Sequence, residues 1–215
     1  MAIEAAVTSL SLRHGRSVRR APFVQSWSGR GLFGEFRFHA LAEATTPDND
    51  DLCRWALETV HKHLSRPASS LTTGLTRAMQ ACHRELLQAN AEQKSQGRVG
   101  LGITCLALQR SDLYLVNNGP GLMYLMKEGG IRRLGPRHGA VQIIGLYEGE
   151  IRPYLQHIPI QRGDRLLVSF STLLRLVTPE GIETILASTP EESIRKLMMV
   201  AREEPSFSAF LFHRD

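Results

Sequence analysis

Carboxylates, imidazoles and thiols are the groups from which a chain of 215 residues could build acid–base, nucleophilic or metal chemistry, and their spacing here offers few constellations. His61 and His63 flank Lys62. A spacing of two puts side chains on different faces of a helix, so both histidines are expected at the surface rather than as a ligand pair. His138 stands beside Arg137 with no carboxylate or cysteine close in sequence, and these separations support no Ser/His/Asp or Cys/His arrangement. Gly100-Leu101-Gly102 lacks the Gly-Lys-Ser/Thr ending of a phosphate loop and reads as the start of a strand. Asp164 follows Gly163 and reads as a turn residue. Glu43 could hold one metal weakly, and otherwise reads as a solvated carboxylate on a loop or strand end. Cys53, Cys82 and Cys105 are odd in number and without C-x-x-C spacing, which points to reduced, buried thiols in a cytoplasmic protein rather than to a disulfide or zinc framework.

Arginine is the remaining chemistry-bearing type. Arg13, Arg16, Arg19, Arg20, Arg30 and Arg37 concentrate before residue 40, where only Glu4 and Glu35 oppose them. With a net charge of +5 and a pI near 9.4, such a stretch could attract phosphate or an acidic peptide. No nucleic-acid motif accompanies it, so a solvated basic rim is expected and a nucleic-acid partner is not. Trp27, Trp55 and the phenylalanines are expected in the core.

The elements that must position these residues follow from patterning. Hydrophobic residues make up 42% and charged residues 22%, ordinary usage for one soluble domain over residues 1–215. No apolar run reaches the roughly 20 residues that span a bilayer, and residues 1–12 lack the basic start of a secretory signal. A cytoplasmic protein without a membrane contact is the expectation. Residues 5–13, 23–27 and 35–41 read as strands, the last alternating Phe36, Phe38 and Ala40 against Glu35, Arg37 and His39. Residues 47–50 supply N-cap chemistry for a helix carrying Leu52, Trp55, Ala56, Val60 and Leu64. A second helix over 71–94 buries Leu75, Ala78, Met79, Cys82 and Leu86, and residues 93–98 form a loop. Strands follow at 102–108, 113–116, 121–126 and 131–134, with a tight link at 109–112 and a turn at 128–130. After a loop over 135–139, further strands are expected at 141–144, 154–158 and 165–169, the last buried on both faces. Thr178-Pro179-Glu180 and Thr189-Pro190-Glu191-Glu192 start two helices, the second with a capping box. A phenylalanine-rich strand over 207–213 closes the chain. This order does not alternate strand and helix; it suggests antiparallel sheets with helices packed outside.

From about residue 36 onward, the order of elements and several phrases resemble the type 2C (PPM, metal-dependent) serine/threonine protein phosphatase family. The run from Leu113 through Asn117-Asn118-Gly119-Pro120-Gly121 to Leu125 is similar to the family's "lyvaNvGDSrayl" hairpin. Gly102-Ile103-Thr104-Cys105-Leu106-Ala107-Leu108 is similar to "GtTavaal", and Ile143-Ile144-Gly145 to "raLG". Arg162-Gly163-Asp164-Arg165-Leu166-Leu167-Val168-Ser169-Phe170-Ser171-Thr172-Leu173 is similar to "GDrlLLcSDGL". Residues 207–212 fall where "DNiTvivv" ends the fold. The resemblance implies an α+β, four-layer α-β-β-α sandwich of two antiparallel sheets flanked by helices. It also implies a two-metal site in which aspartates hold Mg²⁺ or Mn²⁺ and a bridging water attacks the phosphate of phosphoserine or phosphothreonine.

At the metal positions the resemblance breaks. Two close divalent ions need several anionic hard oxygen ligands around them. Glu43 stands where the family has its central bridging aspartate, and Ala44 where a glycine carbonyl ligates. Ser171 replaces the aspartate of "SDG", with Thr172 for its glycine. Pro205 and Ser206 fall near "DN", and Pro120 replaces the aspartate of "GDS". The upstream "NED" acid has no counterpart, because residues 19–26 contain no carboxylate. Arg19 or Arg20 lies near the family's phosphate-holding arginine, and guanidinium–phosphate contacts need no metal.

The leading expectation is a catalytically inactive pseudophosphatase, a regulatory module that binds a protein or phosphoprotein partner and needs no cofactor. The alternative is a divergent, active phosphatase using Mg²⁺ or Mn²⁺, with Glu43 as its metal ligand. A different enzyme on a similar sandwich stands third.

Overall fold

In the computed structural model, residues 5–31, 34–46, 49–66, 68–93, 97–128, 130–136 and 141–214 are described. Within them the element order is β1 (Ala5–Arg13), β2 (Arg16–Ser17), β3 (Val24–Gly31), β4 (Gly34–Ala44), α1 (Asp50–Leu64), α2 (Leu71–Ala91), β5 (Leu101–Gln109), β6 (Asp112–Asn118), β7 (Leu122–Lys127) and β8 (Gly130–Leu134). It continues with β9 (Tyr154–Pro159), β10 (Arg165–Ser169), α3 (Leu173–Leu176), α4 (Pro179–Ala187), α5 (Pro190–Val200) and β11 (Ser206–Arg214). The chain divides into two compact units, one of Met1–Ala21, Leu122–Gly135 and Ile160–Asp215, the other of Pro22–Gly121 and Pro136–Pro159.

The first unit is built on an antiparallel sheet with strand order β2-β1-β11-β10-β7-β8. Its long central strand β11 buries Phe207, Phe210 and Phe212, the aromatic run that marked it in the sequence. β10 lies between β11 and β7, and Leu166, Leu167 and Val168 are buried, as its unbroken apolar run predicts. β1 turns into β2 through His14 and Gly15, both at positive φ (46° and 71°), the geometry of a type I′ hairpin turn. The helix starts read from Thr-Pro-Glu are realised. Thr178 Oγ1 accepts from Gly181 N at 3.2 Å, and Thr189 and Glu192 exchange both bonds of a capping box at 3.4 and 3.2 Å. Hydrogen bonding to Thr189 holds the Glu192 carboxyl below its ordinary range. Arg165 donates to the carbonyl oxygens of Leu186 (2.6 Å) and Ser188, satisfying the C-terminal end of α4.

The second unit is an antiparallel sheet in the order β3-β4-β5-β6-β9, with α1 and α2. β5 is buried from Leu101 to Leu108, an unbroken apolar run in the middle of the sheet. Asn49 and Ser70 cap α1 and α2, their side chains accepting from Leu52 N and Thr73 N. All three cysteines are buried and stand outside any disulfide.

Residues 141–144, expected as a strand, contribute only a single bridge, Leu101 with Ile144. The neighbouring backbone is committed elsewhere. Asn90 Nδ2 donates to Gly145 O (2.7 Å), Gly145 N donates to His83 Nδ1 (3.1 Å), and Leu146 and Tyr147 turn back onto Ile143 O. Side chains of α2 therefore take the groups a ladder would need. The short β2 and α3 were not expected, since two and four residues carry no readable periodicity. Pro47, Asp48, residues 94–96, Gly129 and residues 137–140, including His138, lie outside the described residues.

Candidate functional site

Glu43 and Ala44 close β4 in the second unit, paired in register with Gly102 and Leu101 of β5. Thr45 then holds the chain to Gly100 O through its amide (2.8 Å) and hydroxyl (3.0 Å). The Asn-Asn-Gly-Pro phrase lies beside them. Asn117 Nδ2 donates to Thr104 Oγ1 at 2.8 Å, and Asn118 Nδ2 donates to Gln142 O. Gly119 has φ +126°, and a Cβ there would lie 2.3 Å from the Gly102 Cα. Two backbones meet at that point, so only glycine fits. Pro120 packs its ring on Gly102.

Ser171 and Pro205 belong to the first unit. Phe170 N donates to Ser208 O at 3.0 Å, which puts Ser171 at the same end of the β10–β11 pair as Pro205, just before β11. Pro205 O accepts from His14 N at 3.0 Å, so the β1–β2 turn is tied to this sheet end as well. Ser171 is half-buried and its carbonyl accepts from Leu174 N in the turn into α3. Arg19 and Arg20 follow β2 and are both exposed.

The other candidates resolve into structural roles or corrections. Asp164 is buried, and its Oδ2 accepts from Lys127 Nζ (2.5 Å) and from Gln161 N (2.8 Å). It closes the β9–β10 turn, as a Gly-Asp pair does. The expectation that both His61 and His63 are surface residues fails for His63. It is buried, with Nε2 2.9 Å from Glu85 Oε1 across α1 and α2, because its face of the helix is the one that meets α2. His61 is exposed and its ring lies against Trp27 at 4.4 Å. Trp27 and Trp55 are half-buried rather than core residues. Burial pushes the Cys82 and Cys105 thiols far above their ordinary value, with Glu85 adding to the effect at Cys82, so neither is a nucleophile. The basic stretch is split between the units: Arg13, Arg16, Arg19 and Arg20 go with β1 and β2, Arg30 and Arg37 with β3 and β4.

Two features drew no attention in the sequence. The first is a set of polar side chains on α2. Asn90 binds Val99 on both sides, through Nδ2 to its carbonyl (2.7 Å) and Oδ1 to its amide (3.0 Å), besides Gly145 O. His83 accepts from Gly145 N through Nδ1, so its Nε2 donates to Gly149 O (2.9 Å). The second is a cavity of about 550 Å³ lined by Trp27, Gly29, Phe36, Leu64 and Leu71, with Arg30 and Arg66 also on its wall. The Phe36 ring lies over Gly29, where a Cβ would stand 2.5 Å from Cζ. A glycine beside an aromatic across a strand pair was its only trace in the sequence.

Two antiparallel sheets with helices on a largely non-alternating chain define an α+β architecture. Neither a protein-family model nor a curated protein sequence matches the chain. Solved structures do match its fold. The serine/threonine phosphatase of S. agalactiae shares a TM-score of 0.75 at 14% identity, over 99% of this chain and 100% of that one. PppA, a key regulatory component of T6SS in Pseudomonas aeruginosa, shares 0.73 at 16% identity, over 99% of each. The catalytic domain of the serine/threonine protein phosphatase PstP, in complex with two manganese ions, shares 0.65 at 16% identity, over 98% of each. The chain has the fold of the type 2C, or PPM, serine/threonine phosphatases.

A dinuclear Mg²⁺ or Mn²⁺ centre does not fit the donors at the positions that the sequence resemblance assigns to it. Glu43 offers one half-buried carboxylate, Ser171 a neutral hydroxyl, and Ala44 and Pro205 no side-chain donor. Among the described residues, no group of three or more His, Cys, Asp or Glu could hold a metal ion. Neutral oxygen cannot offset the repulsion between two divalent ions a few ångströms apart. No helix among the described residues is long and apolar enough to cross a membrane.

Proposed function

We propose that residues 1–215 form one type 2C phosphatase-like domain without hydrolytic activity, a cytoplasmic regulatory module that binds a protein or phosphoprotein partner. The observation that carries this reading is the donor set: one carboxylate, Glu43, where two divalent ions would need several. The buried core of both sheets supports it, because the fold persists where the ligands do not. Arg19 and Arg20, exposed beyond β2, are the residues assigned to phosphate, since guanidinium groups grip a phosphate without a metal.

The test is calorimetric titration with Mn²⁺ alongside assays on an aryl phosphate and on phosphoserine and phosphothreonine peptides. The expected result is no stoichiometric Mn²⁺ uptake and no metal-dependent turnover. Tight Mn²⁺ binding with turnover that Glu43→Ala abolishes would establish the divergent phosphatase instead. For the phosphate assignment, phosphopeptide binding should fall at least about tenfold in the double variant Arg19→Ala/Arg20→Ala. Unchanged binding removes those two residues from the site.

A further inference from the structure

The cavity beside Trp27 lies at the end of β4 remote from Glu43. Phe36 and Glu43 are seven residues apart on that strand, roughly 24 Å at the rise of an extended chain. A second cleft, of about 700 Å³, adjoins the first and shares Ser28, Gly29, Arg30 and Phe36 with it. Together they form a groove around the β3–β4 hairpin. Among the described residues its charged lining is one-sided: Arg30, Arg37, Arg66 and Arg110 against the single carboxylate of Glu35. Glu35 lies 3.8 Å from Arg30 with both side chains largely in solvent, a contact too weak to neutralise the rim. The floor is apolar, made by Trp27, Phe36, Leu64 and Leu71. Among the described residues β3 is an edge strand with β4 as its one sheet neighbour, so a further extended chain can add along it.

We propose that this groove docks an acidic, extended segment of a partner protein, which adds along β3, seats one bulky apolar side chain between Trp27 and Leu71, and sets its carboxylates against Arg30 and Arg66. Three properties argue for that occupant. The arginines demand negative charge and fix the register. The aromatic and aliphatic floor rewards one desolvated anchor, as recognition pockets do. The open edge of β3 favours extended backbone over a helix, which could not share its hydrogen bonds. The groove lies wholly within the second unit and contains none of the residues assigned to metal or phosphate, so it stands whether or not the phosphatase positions turn over.

The experiment is fluorescence anisotropy of the full chain with a labelled nonapeptide of eight glutamates around a central phenylalanine. Controls are the same peptide with central glycine, its all-lysine counterpart, and an oligothymidylate of equal charge. Saturable binding is expected, weakened at least about tenfold by Arg30→Glu/Arg66→Glu and about fivefold by the glycine peptide. Ala68→Phe, which adds a ring to the cavity wall while leaving every charge in place, should weaken binding about fivefold. Arg19→Glu/Arg20→Glu should leave it unchanged, separating this groove from the phosphate assignment. Three results would each overturn the proposal: no saturable signal up to about 1 mM peptide, affinity unaffected by both groove variants, or equal binding of the oligothymidylate with the same dependence on Arg30 and Arg66.

Discussion

At its C-terminal end β4 carries Glu43 and Ala44, which the sequence resemblance assigns to metal positions; at its N-terminal end it carries Phe36 and Arg37 to a cation-rimmed groove. The two ends share one strand but not the same partners: Glu43 and Ala44 pair with β5 alone, and Phe36 pairs with Gly29 of β3. The Glu43 end has backbone detail fitted closely together, in Gly102 against Gly119 and in the Asn90 bonds to Val99 and Gly145, but few anionic groups. The Phe36 end has looser packing, a cavity, and four arginines. Tight backbone geometry therefore marks one end of the strand, while a cavity and its arginines mark the other.

The sharpest way to break this contrast is Gly119→Ala. A Cβ at φ +126°, 2.3 Å from Gly102 Cα, has no place to go, and the substitution should cost about 3–5 kcal/mol of unfolding free energy in a urea titration. A loss below about 1 kcal/mol would mean the Glu43 end is less constrained than its geometry implies. Asn90→Ala comes next. It leaves three bonded backbone groups of Val99 and Gly145 without their partner and should cost about 3 kcal/mol. Hydrogen exchange should rise at Leu101 and Ile144, whose amides form the adjacent bridge, and stay unchanged at Trp27 and Phe38. Equal acceleration at both ends would erase the distinction. Gly29→Ala acts at the groove end alone. It must push the Phe36 ring aside, costing about 1–2 kcal/mol, and should lower acidic-peptide binding more than it lowers stability at the Glu43 end.

A pH-dependent effect arises from titration at the middle of the strand. His39 on β4 is lowered to about 4, first by burial and then by the nearby Arg37 charge, and its Nδ1 lies 2.8 Å from Ser26 Oγ. The folded state thus resists a proton that the unfolded chain accepts near its ordinary value of 6.5. His39 contributes its full stabilisation above about pH 6.5, and that contribution falls as the pH drops toward 4. Urea unfolding at pH 7, 5.5 and 4 should show this decline, and His39→Gln should flatten it across that window. A variant that declines as steeply as the parent would remove His39 as the cause.

Element types were largely legible because period and caps are local. Thr189 and Glu192 announce their capping box in four letters, and the Phe207–Phe212 run could only be a buried strand. Where sequence misled, tertiary competition was the reason. Residues 141–144 look like a strand until His83 and Asn90, distant in sequence, take the adjoining backbone groups. His63 looks like a surface histidine until α2 brings Glu85 to it.

The sequence by itself determined most of the longer elements and the resemblance to type 2C phosphatases, because patterning and residue type need no coordinates. Only the tertiary structure decided that Trp27, Phe36, Leu64 and Leu71 enclose a cavity, and that Arg30, Arg37, Arg66 and Arg110 gather around it. These residues come from β3, β4, the ends of α1 and α2, and the β5–β6 turn, and their meeting depends on strand register and helix packing, which no local spacing encodes.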